Sequence, residues 1–243
     1  MFDNFPKSRL PLPLDYQSIY EKHYSENRQG RTVASSFSRK LEAWMHRRVA
    51  EDVNRSDRET PTLEIGAGTL NHLPYEPYAK PYDIVEPWSY LFEKSPFLGR
   101  VRKVYSGVEE IPLDSKYKRI ISIAAFEHIL NLPEVVARAG LLLDKYGQLR
   151  AAIPAEGTLL WKLGWKLTTG LEFRLRYALD YGMLMKHEHV NTSAEIEQIL
   201  MFFFANVQCR FLGLHRKLSV YQFFICTSPN LDNCRSYLAQ IGP

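Results

Sequence analysis

Hydrophobic positions along the chain follow two periodicities, with the change near Pro61. Before it, after a lead marked by Pro6, Pro11 and Pro13, residues Tyr16, Ile19, Tyr20, His23 and Tyr24 recur at helical spacing behind a candidate cap at Asp15. A polar linker, 27–35, leads to a second stripe of Phe37, Leu41, Trp44, Met45 and Val49, with Arg47 and Asp52 off that face. Two helices are therefore predicted ahead of the first strand. From Pro61 onward, short apolar or β-branched runs at 62–65, 82–85, 101–105, 119–124 and 149–153 alternate with helical stretches, which predicts a parallel sheet with crossover connections. The helix before the last of these runs has Pro133 at its start, an apolar run at 135–143, and Gly147 as its expected terminator.

The segment 159–186 is rich in Trp, Leu and Tyr, is interrupted by Gly164, Gly170 and Gly182, and matches no regular sheet-covering element. It reads as an inserted lobe. Thr192-Ser193-Ala194-Glu195 then forms a capping box, opening a helix with Ile196, Ile199, Leu200 and Phe203 on one face. Strand patterns around 207–211 and 219–226 close the sheet as an antiparallel pair. The predicted fold is α/β: a doubly wound, mainly parallel sheet whose last strand pair is antiparallel. Pro74, Pro77 and Pro81 leave little room for the first crossover helix, because proline inside a helix costs about 3 kcal/mol.

Composition adds limits. The 243 residues suit one large domain, and 45% apolar with 24% charged residues is ordinary for a globular chain. The net charge of +4 comes from scattered basic residues without a stripe interleaved with aromatics, so a nucleic-acid partner is not expected. Cys209, Cys226 and Cys234 lack zinc-ligand spacing and read as reduced thiols, and no metal site is expected. No basic-then-apolar start and no run near the ~18 apolar residues of a membrane span is present, which reads as cytoplasmic.

The sharpest chemical signal is Leu63-Glu64-Ile65-Gly66-Ala67-Gly68-Thr69, where the first strand runs into a loop. Glycines there let the backbone turn tightly and approach a ligand that a Cβ would repel. About twenty residues later, Tyr82-Asp83-Ile84-Val85-Glu86 ends a second strand in a carboxylate able to take a ribose diol. This arrangement resembles the class I S-adenosylmethionine-dependent methyltransferases, whose first motif is acid-x-Gly-x-Gly and whose second strand ends in an acid. The resemblance continues through 117–129 and the Glu127-His128 pair, is strongest over 61–154, and includes His187-Glu188-His189-Val190 in a form found in small-molecule members.

By that resemblance the cofactor is S-adenosylmethionine. Gly66, Ala67 and Gly68 lie along its methionine and ribose, Glu64 anchors the loop near the methionine amine, and Glu86 with Pro87 takes the ribose hydroxyls. Val108 forms an adenine wall, and Ala124 gives a backbone contact to the methionine end. The chain departs from the family at Leu70, where a third glycine stands, at Gly107, where many members carry an acid, and at Lys118, where an aspartate opens the fourth strand. The division implied is an N-terminal helical cap over the cofactor end (1–58), a cofactor-binding core (59–158), an inserted substrate lid (159–190) and completion of the sheet (191–243).

The chemistry implied is methyl transfer to a small molecule or a glycan sugar, as metal-free O-methylation. The Asn/Asp-Pro-Pro-aromatic tetrad of amino-methylating DNA enzymes, the nucleophilic cysteine of cytosine-carbon enzymes and the carboxylate cluster of catechol-type enzymes are all missing near 122–127. A hydroxyl acceptor needs a base near neutrality, and His128 ranks first with His189 second, ahead of His187 and Glu156. Trp161, Trp165, Phe173, Tyr177 and Tyr181 give the lid flat surfaces, and Lys162 and Lys166 between them suit an anionic or lipid-linked glycan and a peripheral membrane contact through 159–186. Two other readings stay open: a catalytically silent module with this fold, and a nicotinamide oxidoreductase, whose fingerprint wants glycine where Asn71 stands.

Overall fold

The computed structural model describes residues 2–17, 19–20, 34–53, 61–76 and 81–242. His23, Tyr24, Pro77 and nearly all of the polar linker lie outside them, as do the side chains of Phe37 and Leu41. The described strands are β1 (Thr62–Ile65), β2 (Tyr82–Val85), β3 (Lys103–Tyr105), β4 (Tyr117–Ile123), β5 (Leu143–Pro154), β6 (Phe204–His215) and β7 (Leu218–Pro229). They form one sheet in the order β3-β2-β1-β4-β5-β7-β6. β1 to β5 pair in parallel, whereas β7 pairs antiparallel with both β5 and β6, as the alternation predicted. From β1 the chain builds outward through β2 and β3, then returns to place β4 and β5 on the other side. That switch point opens a crevice beyond the carboxyl ends of β1 and β4.

Strand alternation sends Leu63 and Ile65 to one face, where they pack with Val136, Leu142, Ile196, Leu200 and Phe203. These last residues come from α2 (Leu132–Leu142) and α6 (Ser193–Phe203), and α7 (Leu231–Ile241) packs beside them. The opposite face carries Ile84, Ile121, Ile123 and Phe223 against Met45 and Val49 of α1 (Ala34–Ala50). Each such side chain, fully buried, contributes about 1.5–3 kcal/mol.

Two expectations, the stop of the helix before β5 and the irregularity of 159–186, are corrected. The second predicted helix, α1, runs along the sheet face, with Met45 packed beside Ala67 and Leu70 of the loop after β1. Its last carbonyls, those of Arg48 and Val49, accept from Arg150 Nη2 at 2.7 Å and Arg119 Nη2 at 2.8 Å. Arg119 stands in register with Thr62, the first residue of β1, so this end of α1 is pinned opposite the crevice. Next, α2 stops at Leu142 and Gly147 lies inside β5. A Cβ there would stand 2.9 Å from the Tyr117 carbonyl oxygen, so the glycine serves close strand approach, not helix termination.

The segment 159–186 is regular: α3 (Leu159–Leu167), α4 (Thr169–Tyr177) and α5 (Tyr181–Glu188). Thr158 caps α3 and Asp180 caps α5 by accepting backbone N–H bonds, so the helices are locally encoded despite their glycines. The first predicted helix, described at 14–17 and 19–20, packs on this lobe, where Tyr16 shares a cluster with Leu12, Phe173 and Leu184. The proline-marked crossover after Gly68 behaves as expected; among its described residues the sole helical piece is a 3-10 turn at Leu73–Tyr75.

Candidate functional site

Beyond β1 the loop adopts left-handed backbone three times, at Gly66 (φ 75°), Gly68 (φ 52°) and Leu70 (φ 64°). Glycine takes this region without steric cost. A Cβ on Gly66 would also lie 2.3 Å from the Ala125 Cβ, so its absence lets the loop rest against the turn after β4. Gly66 N–H donates to the Val85 carbonyl at 2.9 Å, and Ser122 Oγ donates to the Ile65 carbonyl at 3.0 Å. Leu70 takes this conformation although it is not glycine, and its fully buried side chain packs with Met45, Leu73 and Tyr82.

Glu86 closes the loop. Its Oε2 accepts from Gly68 N–H at 2.8 Å and its Oε1 from Trp88 N–H at 3.1 Å, while its own N–H donates to the Tyr105 carbonyl at 2.9 Å. Pro87 is exposed beside it, followed by exposed Trp88 and Tyr90. Val108 is buried and packs under Leu63, Ile65 and Val85. Ala124 is exposed at the crevice with φ 50°, its N–H donating to the Ala152 carbonyl at 2.8 Å. Gly66, Gly68, Glu86 and Ala124 thus meet at the strand ends.

Glu64 is placed differently from its neighbours in the motif. Strand alternation turns it to the α1 face, where Tyr82 Oη donates to its Oε2 at 2.7 Å, and burial pushes its carboxyl up to about 8 against that bond. The carboxylate that anchors the loop is that of Glu86.

A second group gathers over the turn after β4. His128 Nδ1 lies 2.9 Å from the Glu188 carbonyl, and His189 Nδ1 lies 2.8 Å from Glu156 Oε2. The two rings meet edge to face with centroids 4.8 Å apart. Below them sits Glu127, fully buried, with Oε2 lacking a hydrogen-bond partner; burial pushes its carboxyl up to about 7, opposed by His189. Burial alone would lower His189, but its bond to Glu156 and the charge of Glu127 raise it overall. Donor atoms of Glu127, His128 and His189 lie within 4.8 Å of one another, the kind of set that can hold a metal ion. The sequence places His128 beside Glu127, and folding brings His189 to the same pair.

The structure adds contacts that no local signal marked. Asn191 Nδ2 donates to the carbonyls of Phe126 and Ile129 at 2.8 and 2.7 Å and so staples the Glu127-His128 turn. Arg9 Nη1 lies 3.2 Å from Glu188 Oε1, and Lys7 Nζ donates to the Val190 carbonyl at 2.8 Å, drawing the N-terminal strand of chain across the site. Trp161 Nε1 donates to Glu156 Oε2 at 2.6 Å, and its ring stacks near His189. His187 points away, with Nδ1 2.6 Å from the Leu10 carbonyl.

No family model and no curated protein sequence matches the chain. Solved structures do. The plantazolicin methyltransferase BpumL, solved with a monoazolic desmethylPZN analog and S-adenosylhomocysteine, superposes with a TM-score of 0.56 at 12% identity, covering 88% of this chain and 93% of its own. An S-adenosylmethionine-dependent methyltransferase from Thermotoga maritima gives 0.54 at 14% identity, covering 88% and 98%. An O-methyltransferase family protein from Burkholderia thailandensis gives 0.54 at 13%, covering 93% and 68%. The fold is therefore that of the class I methyltransferases.

Proposed function

We propose that the chain is an S-adenosylmethionine-dependent methyltransferase that methylates an oxygen of a small molecule or of a glycan sugar. The observation that carries this reading is the Glu86 carboxylate closed on the Gly68 N–H at the mouth of the crevice. The crevice suits the cofactor: Gly66 and Gly68 present left-handed backbone, Ala124 is exposed, and each Glu86 oxygen retains a lone pair for a ribose hydroxyl. By the resemblance, Gly66, Ala67 and Gly68 line the methionine and ribose, Glu86 and Pro87 hold the diol, Val108 backs the adenine, and Ala124 meets the methionine end. When bound, S-adenosylmethionine supplies an electrophilic methyl group. The chain's own residues must orient the acceptor and receive its proton.

His128 and His189 are suited to that proton. Each donates Nδ1–H to an acceptor, a carbonyl for His128 and a carboxylate for His189, a tautomer that puts the lone pair on Nε2. As the acceptor oxygen forms its bond to carbon, its proton passes to such a nitrogen. Trp161, anchored on Glu156, shields this group from one side.

A second reading is favoured by the grouping of Glu127, His128 and His189. A divalent cation held there, with Glu156 and Glu188 as outer partners, would acidify the hydroxyl in place of a base. Turnover that disappears on chelation and returns with added cation would select it. The oxidoreductase reading loses its footing, because a dinucleotide site needs a helix opening directly after the glycine loop, and only the Leu73–Tyr75 turn follows among the described residues.

The test is calorimetry with S-adenosylhomocysteine and with a nicotinamide dinucleotide, followed by a labelled-methyl screen against metabolite and glycan fractions. Binding of the first ligand alone, with label in a metabolite or glycan, supports the proposal. No binding at millimolar ligand would point to a silent module, and label found solely in protein or nucleic acid would overturn the acceptor class.

A further inference from the structure

Helices α3 and α4 each have an inward and an outward face of unusual composition. Inward, Trp161 packs on Tyr221 with centroids 5.6 Å apart, Trp165 on Tyr181 at 5.8 Å, and Phe173 is fully buried. Outward, where a helix on a globular protein is normally polar, Leu159, Leu163 and Leu167 recur every fourth residue with 60%, 45% and 71% exposure. Leu171 and Leu175 repeat the spacing on α4 at 51% and 80%. Isolated exposed leucines are ordinary; a run of them over two consecutive helices is not.

The charges beside these leucines are nearly of one sign: exposed Lys162, Lys166, Arg174 and Arg176 against the single acid Glu172. On a helical wheel Lys162 and Lys166 border the leucine stripe of α3. Side chains of this kind lay their methylene stems along apolar surface and extend their charges outward. Each helix has nine residues, far short of a membrane span, and no described helix is long and apolar enough to cross a bilayer. Short helices with a leucine face, a basic border and aromatic anchors behind are built to lie in the plane of a lipid surface.

We propose that the outer face of α3 and α4 docks on an anionic lipid bilayer, with the leucines at the acyl boundary and the basic residues among phosphate headgroups. Charge complementarity selects this occupant over a second copy of the chain, whose matching face would oppose like charges. The docking itself does not depend on the methyltransferase reading; its consequence does. Trp161 joins the inner side of α3 to Glu156 and His189, so a membrane-held acceptor would be presented one helix away from the proposed chemistry.

The experiment is co-sedimentation of the full chain with vesicles of phosphatidylcholine alone and of equal parts phosphatidylcholine and phosphatidylglycerol, alongside light scattering. Wild type should sediment with the mixed vesicles, at least ten-fold less with phosphatidylcholine alone, and progressively less as salt rises. L163E/L171E and K162E/K166E should each lose ten-fold or more while still binding S-adenosylhomocysteine as wild type does. If a variant unfolds, L167W serves instead: its emission should shift to the blue on mixed vesicles. Wild type that stays in solution, variants that sediment like wild type, an unshifted L167W, or a dimer abolished by the leucine substitutions would each overturn the proposal. Cofactor binding is read separately, so its failure would reach the functional reading and leave the docking result standing.

Discussion

Gly68 and Glu86 are 18 positions apart in sequence, and a 2.8 Å hydrogen bond joins the backbone N–H of the first to the carboxylate of the second. The bond ties the loop after β1 to the end of β2, beside the crevice where we propose that the cofactor binds. Glu86→Ala should weaken S-adenosylhomocysteine binding by about 1.5–3 kcal/mol, the usual value of a charge-assisted bond. Titration calorimetry checks this, and unchanged affinity would remove Glu86 from the cofactor site.

The proposed proton-accepting role is tested by His128→Ala and His189→Ala separately. A base should lose roughly 10²–10⁴ in single-turnover rate with cofactor affinity intact. Glu156→Gln should reproduce part of the His189 loss, because it weakens the bond that orients Nδ1. If both histidine variants turn over normally, methyl transfer here proceeds by positioning alone.

Close approach of Gly66 to Ala125 predicts coupling between them. Gly66→Ala should destabilise the fold and loosen cofactor binding, since it adds both a collision and left-handed strain of roughly 1–2 kcal/mol. Gly66→Ala with Ala125→Gly removes the collision and leaves the strain. Denaturant melts of the full double-mutant cycle should therefore show partial rescue; simple additivity would mean the loop moves freely.

The Glu64 carboxyl gives stability a pH signature. Its folded value is raised to about 8 by burial, so its contribution is complete below the ordinary value of 4.5 and is lost as pH rises through 8. His46 acts oppositely: burial, then His72 beside it, lowers it to about 3, so acidification below 6.5 destabilises the fold. The two slopes offset each other between 4.5 and 6.5. Above that window Glu64 acts together with the raised Glu127 and His189, and its own share of the fall toward pH 8 should be roughly 2 kcal/mol. Glu64→Gln should flatten this decline in thermal melts at stepped pH, and a wild-type profile with no decline there would contradict the burial argument.

What could be read from the chain was whatever depends on near neighbours. Strand-helix alternation defined the parallel sheet, Thr192 and Glu195 wrote their own capping box, and the prolines after Gly68 excluded a regular crossover. Gly66-Ala67-Gly68 and Glu86 were legible because a loop and a strand end carry their signal within a few residues. Gly147 misled for the same reason: locally it looks like a helix stop, and only the β4 carbonyl packed beside it reveals the need for a missing Cβ. The relations that make up the site's other half are long-range. His189 meets Glu156 33 positions away, His128 meets the Glu188 carbonyl 60 away, and Lys7 reaches Val190 183 away. No periodicity encodes such pairs, because they are set by which strand ends the sheet order brings together; the two turns of Glu64 and Glu86, one onto the Tyr82 hydroxyl and one onto the Gly68 N–H, were likewise decided against neighbours the sequence does not name.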